Sequence, residues 1–88
     1  MEYSINNNLQ KPSIIDRVDS NLIFFGFALP SCKSEDDKKW LIQIYVKDAD
    51  GIERTGFANG VREFNQAWSE RAELSYKITE CFEEEIEY

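Results

Sequence analysis

Histidine is absent from the 88 residues, and only two cysteines, four glycines and two prolines occur. Without histidine the chain lacks the commonest general base at neutral pH and the commonest metal ligand. Cys32 and Cys81 stand far apart and form no Cys-x-x-Cys pair, so the close ligand spacing of a structural zinc site is missing. They read as two free thiols in a reducing compartment, where disulfides are rare. No cofactor or metal is implied. Long apolar runs are missing too. The longest, Leu22 to Leu29, falls well short of the roughly 20 residues that cross a bilayer, so no membrane partner is expected. Met1 to Asn8 has no basic stretch followed by an apolar one, the mark of a secretory leader. The expectation is a soluble protein that stays in the compartment where it is made.

Positive charge is scarce. Ten Lys and Arg face seventeen Asp and Glu, a net charge of −7. Five of the acids, Glu80, Glu83, Glu84, Glu85 and Glu87, follow Lys77 with no base among them. The remaining twelve acids against ten bases leave the body near neutral. An acidic chain repels phosphate, so direct nucleic-acid binding is not expected. Acidic tails are commonly solubilising. Here Phe82, Ile86 and Tyr88 interrupt the charges, which makes these three candidate partner-binding residues.

What is present suffices for one small domain: 42% hydrophobic and 14% aromatic residues. Residues 1–13, with an Asn triplet and Pro12, read as a polar N-terminal arm. Residues 14–79 read as a β-rich domain and 80–88 as an acidic tail. Ile14 to Val18 predicts a short first strand, closed by an Asp19-Ser20-Asn21 turn. Leu22 to Leu29 is apolar at every position and stops at Pro30, the pattern of a buried strand. Gly26 within it marks a bulge or a close backbone approach. Trp40, Ile42, Ile44 and Val46 alternate with Leu41, Gln43, Tyr45 and Lys47, the period of a strand. Asp48-Ala49-Asp50-Gly51 then closes a hairpin, with Gly51 supplying positive φ. Ile52 to Ala58 returns, and Asn59-Gly60 turns the chain again.

Beyond that turn the period changes. Phe64, Trp68 and Ala72 lie four apart, which predicts a helix of about ten residues capped by Asn65. Leu74, Tyr76 and Ile78 alternate, the mark of a last strand. The fold class expected is mostly β: a small antiparallel sandwich or partly open barrel with one short helix. An α+β layer with the helix on one sheet face is the alternative. Trp40, Ile42, Ile44, Phe64 and Trp68 are assigned to the structure, as are the turn glycines Gly51 and Gly60.

No catalytic arrangement accompanies these elements. Asp48-x-Asp50-Gly51 resembles part of a calcium loop, yet alignment on Gly51 places Val46 and Phe57 at the first and last ligand positions. Neither is a ligand, so the segment reads as a turn. Asp36-Asp37 and Glu83 to Glu85 lie in solvated runs, unlike the split environments that tune catalytic carboxylates. Nucleophile elbows and phosphate-binding glycine loops are missing. The chain reads as a non-enzyme. Trp68 and Arg71 are neighbours on the expected helix. Trp68 reads as an anchor to the sheet, whereas Arg71 is either an intrachain ion-pair partner or a candidate partner-binding residue, since Arg is enriched in interface hot spots.

Taken in order, Phe25-Gly26-Phe27-Ala28-Leu29-Pro30, Trp40-Leu41-Ile42, Phe57-Ala58-Asn59-Gly60 and the series Phe64, Trp68, Arg71, Leu74 and Tyr76 form a recurring pattern. In this respect the chain resembles a family of small tailed-bacteriophage virion proteins. The resemblance covers roughly residues 22–77. Departures are Asn59 for an acidic residue, Ser31 for a frequent Gly, and Leu41 for a basic residue. The resemblance implies virion assembly at a neck, tail or fibre attachment, in the virion and in the host cytoplasm before it. It implies other virion proteins and copies of this chain as partners, and no catalytic residue. Small size and net negative charge support a different expectation, an acidic phage inhibitor of a host defence or nucleic-acid enzyme.

Overall fold

The computed structural model describes residues 11–79 and 84–88. Five strands form one antiparallel meander, each pairing with the next: β1 (Ile14–Asp19), β2 (Leu22–Ala28), β3 (Trp40–Lys47), β4 (Glu53–Ala58) and β5 (Tyr76–Lys77). The mostly-β antiparallel class is therefore the observed one. The strands stay in a single open sheet rather than turning into a sandwich or barrel.

Register decides which side chains share a face. Ile14 lies opposite Gly26 and Gly26 opposite Ile42; Phe24 lies opposite Ile44 and Ile44 opposite Gly56. Ala28 meets Trp40, and Ala58 meets Tyr76. Trp40, Ile42, Ile44 and Val46 thus line one face together with Phe24, as the alternation of β3 predicts, and all five are buried. Ile42 and Ile44 are 0% exposed.

Two glycines make room for the cover of this face. A Cβ on Gly26 would lie 2.5 Å from the Trp68 ring, so the expected close approach is real and β2 keeps an unbroken register there. A Cβ on Gly56 would collide with the Lys77 carbonyl and with Ile86. Small residues in the sheet and large ones above it interdigitate, which is how a thin domain reaches interior packing density.

The helix is shorter than the spacing predicts. A 3-10 segment spans Trp68–Glu73, and Ala67 ahead of it is extended with no side-chain cap. Gln66 explains the difference. Its N–H donates to the Trp40 carbonyl at 3.1 Å, and its carbonyl accepts the Trp40 N–H at 2.9 Å. This bridge holds the chain extended beside β3, so no helix can begin at Phe64. The Asn65 side chain meets Glu63 and Gln66 instead of capping backbone.

The C-terminal segment also departs from expectation. Ile86 is 4% exposed and belongs to the core, its N–H donating to the Tyr76 carbonyl at 2.8 Å. Residues 84–88 are thus part of the domain, and Lys77 bridges to Glu85 along the β5 edge. Cys81 and Phe82 lie outside the described residues, as do residues 1–10.

Candidate interaction face

The sheet has two sides, and the core occupies one. Trp68, Ile86, Leu74 and Ala58 gather on the side that bears Phe24 and Ile44. Trp68 lies against Trp40 with ring centroids 5.6 Å apart. Tyr88 meets both Phe24 and Tyr76 nearly edge-on, at 5.8 and 5.4 Å. Its hydroxyl donates to the Leu74 carbonyl, so the last residue clamps the cover. Tyr76 is 1% exposed, and its hydroxyl donates to the Arg71 carbonyl at 2.8 Å. Burial pushes the Tyr76 phenol well above its ordinary range.

Arg71 belongs to this covered side. Its guanidinium lies 4.4 Å from the centre of the Trp68 ring, donates to the Trp68 carbonyl at 3.0 Å and pairs with Asp16 of β1 at 3.0 Å. Of its two sequence readings, the intrachain ion pair is the one the structure displays. The expectation of a partner-binding Ile86 is corrected by its burial, since a core side chain has no surface to offer. Tyr88 remains 47% exposed although its ring is engaged. Phe82 lies outside the described residues. Phe64 is half-buried, and Gly51 and Gly60 both have positive φ in their turns.

The opposite side carries the alternate residues. Ile15 lies opposite Phe25, and Phe25 opposite Gln43, which in turn faces Phe57. Ile23 lies opposite Tyr45, and Phe27 opposite Leu41. Phe25, Phe27, Tyr45, Phe57 and Ile23 are half-buried, and Ile15 is 42% exposed. Among the described residues the 3-10 segment, the core cluster and residues 84–88 pack on the other face, and no helix or strand crosses this one, although Leu41 within it is buried. At its margin Val61, Arg62, Glu63, Ile78 and Thr79 share a shallow cavity with Phe57, the Arg62 guanidinium 5.1 Å from the centre of the ring. Apolar patches rimmed by polar residues mark interaction sites.

The ionisable groups of this open face are unevenly signed. Register places Arg17, Lys47, Lys77, Glu53 and Glu85 on it, and Arg62 lies against Phe57. Loss of solvent, and then a hydrogen bond with Glu53, raise the Tyr45 phenol above its usual range. Arg17, Lys47 and Lys77 form no ion pair among the described residues. Elsewhere the carboxylates are tied to local backbone. The Ile52 N–H and the Arg54 guanidinium lower Asp48, and the Lys33 N–H lowers Asp37. Compared with known proteins, the chain matches no family model, no curated protein and no solved structure.

The open face escaped the sequence reading for a definable reason. Ile23, Phe25 and Phe27 sit in a run that is apolar at both parities, and such a run reads as a strand covered on both sides. The usable signal was Lys47 beside Tyr45 and Arg17 beside Ile15, bases on the same parity as those aromatics.

Proposed function

We propose that this chain is a structural protein of a bacteriophage virion, an assembly module that acts through protein–protein contacts on its open sheet face. One observation carries the reading: a five-stranded sheet packed on one side bears five or more large apolar side chains on the other, with no described helix or strand across them. A domain of this size has little apolar surface to leave in water without a partner for it. The residues behind the resemblance to phage virion proteins support the reading differently. Gly26, Ala28, Trp40, Ile42, Trp68, Arg71 and Tyr76 build the covered side, and Phe25, Phe27, Leu41 and Phe57 of the same pattern lie on the open one, so the pattern spans both the platform and its outer face. The open side is the one we assign to the contact.

Mass spectrometry of purified particles of the source phage tests this. The chain should be present in fixed stoichiometry, and Phe25→Glu should lower its incorporation. Absence from purified particles would sink the reading.

A further inference from the structure

The open face and one end of the sheet are complementary to each other. The face carries Arg17, Lys47, Lys77 and Arg62 against Glu53 and Glu85, four bases to two acids, or +2. Taking +2 from the chain's −7 leaves −9 for everything else. Part of that charge stands at the hairpin tips. The β1–β2 and β3–β4 turns lie side by side, joined by the Lys47 N–H donating to the Asn21 carbonyl at 3.0 Å. Asp19 and Asp50 are exposed there. So are two large apolar side chains, Val18 at 53% and Ile52 at 49%. With Ile15 and Tyr88, they are the exposed large hydrophobics among the described residues.

We infer that copies of this chain associate head to tail, the acidic hairpin tips of one copy seated on the basic-rimmed apolar face of the next. This deepens the assembly reading above and rests on it. The charges choose the geometry. Face-to-face pairing of two copies would bring four bases toward four bases around an apolar centre. Like charges across an interface disfavour that arrangement. Tip-to-face pairing sets Asp19 and Asp50 against bases, and Val18 and Ile52 against aromatic rings. Such a contact joins two different surfaces, so it repeats, and it generates rings or filaments according to its rotation. Phosphate fits less well as occupant, because the −9 carried elsewhere repels it.

The test measures the molar mass of the full chain by sedimentation across a concentration series. Wild type should exceed one copy, and raising salt from about 0.05 to about 0.5 M should weaken the association roughly tenfold. Phe25→Glu destroys the face, and the pair Asp50→Lys with Ile52→Lys destroys the tip. Each should sediment as one copy. Mixed in equal amounts they should form a two-copy complex and nothing larger, since each keeps one intact surface. Thermal melting checks that the variants fold, and Lys77→Glu serves as the face variant should Phe25→Glu unfold. A wild type that stays one copy at every concentration overturns the inference. So does a tip variant that still associates alone, because its pairing is then face to face. Binding of a fluorescent oligothymidylate that Phe25→Glu abolishes would make the occupant a nucleic acid. A one-copy wild type that associates once residues 1–10 are deleted would place those residues in the partner's stead. Either result overturns it as well. A one-copy wild type whose Phe25→Glu variant is still lost from particles removes self-association and leaves the assembly reading intact.

Discussion

Phe24 and Phe25 are adjacent in one strand and have opposite fates. Phe24 is 2% exposed, walled by Tyr76 and Tyr88. Phe25 is half-buried on a face that no described element crosses. The difference is not one of composition, since both faces of β2 are apolar. It comes from the path of the chain beyond β4. The bridge from Gln66 to Trp40 steers residues 67–73 over one face only, and Ile86 and Tyr88 close the same side. On the covered face the charged groups, Asp16 and Arg54, are both ion-paired, with Arg71 and with Asp48 and Glu84. On the open face Lys47 lies opposite Glu53 and Lys77 opposite Glu85, yet neither base closes an ion pair among the described residues. The packed core lies on one side, and the contact we propose lies on the other.

The sharpest way to break this comparison is to damage the covered side. Phe24→Ala and Trp68→Ala should each cost about 3–5 kcal/mol, the loss of a buried aromatic plus its cavity. A domain this small holds on the order of 5–10 kcal/mol in total, so both variants should lose much of their cooperative unfolding transition. Urea denaturation followed by tryptophan fluorescence, or circular dichroism for Trp68→Ala, measures it.

Arg71→Ala should come next, at about 1–2 kcal/mol. Its pair with Asp16 is partly exposed, 27% and 33% by side chain, and such pairs alone contribute about 1 kcal/mol or less. The stacking on Trp68 and the bond to the Trp68 carbonyl add to it. Arg71→Lys should recover only part, because an ammonium cannot stack and fork at once. If Arg71→Ala melts like wild type, the guanidinium is idle in the fold and its surface reading revives.

Much of the scaffold was legible in the chain. The alternation from Trp40 to Val46 needs only period two, and the Asp48 to Gly51 and Asn59-Gly60 turns carry their own chemistry; Asn59 and Gly60 have φ of 56° and 77°. The helix was misjudged because Phe64, Trp68 and Ala72 match helical spacing by residue type. A pairing between Gln66 and Trp40, distant in sequence, overrides that local pattern. The tail was misjudged because charge dominates it. Ile86 and Tyr88 sit two apart among glutamates, the spacing of a strand-like segment with one apolar side. The open face was hidden because the number of layers over a sheet is a property of the whole path, and no local pattern encodes it.

Tyr76→Phe is a smaller probe of the covered side. It removes the hydrogen bond to the Arg71 carbonyl and should cost about 1 kcal/mol. It also carries a pH signature. The buried phenol titrates above its ordinary value. As pH rises past about 10, the unfolded chain releases this proton first while the folded chain retains it. The unfolded state then binds fewer protons, so stability falls with rising pH from there upward. Tyr76→Phe should flatten that alkaline decline. An identical decline in both proteins would mean that other groups cause it.

Phe25→Ala is the smallest expected effect and bears most directly on the comparison. It is the same substitution as Phe24→Ala, one position along the same strand. With no cover above it, Phe25 leaves no enclosed cavity when truncated. What remains is partial contact with neighbours and a change in strand propensity, together about 1 kcal/mol or less. The two variants should therefore differ by at least about 2 kcal/mol in unfolding free energy, the cavity cost that only the covered side incurs. Equal losses would mean that both sides of the sheet are packed in solution, and the open face would then cease to be a candidate for any partner. A Phe25→Ala loss that grows with protein concentration would instead sharpen the comparison. Linkage to self-association makes wild-type stability concentration-dependent, and a variant that cannot associate lacks that dependence.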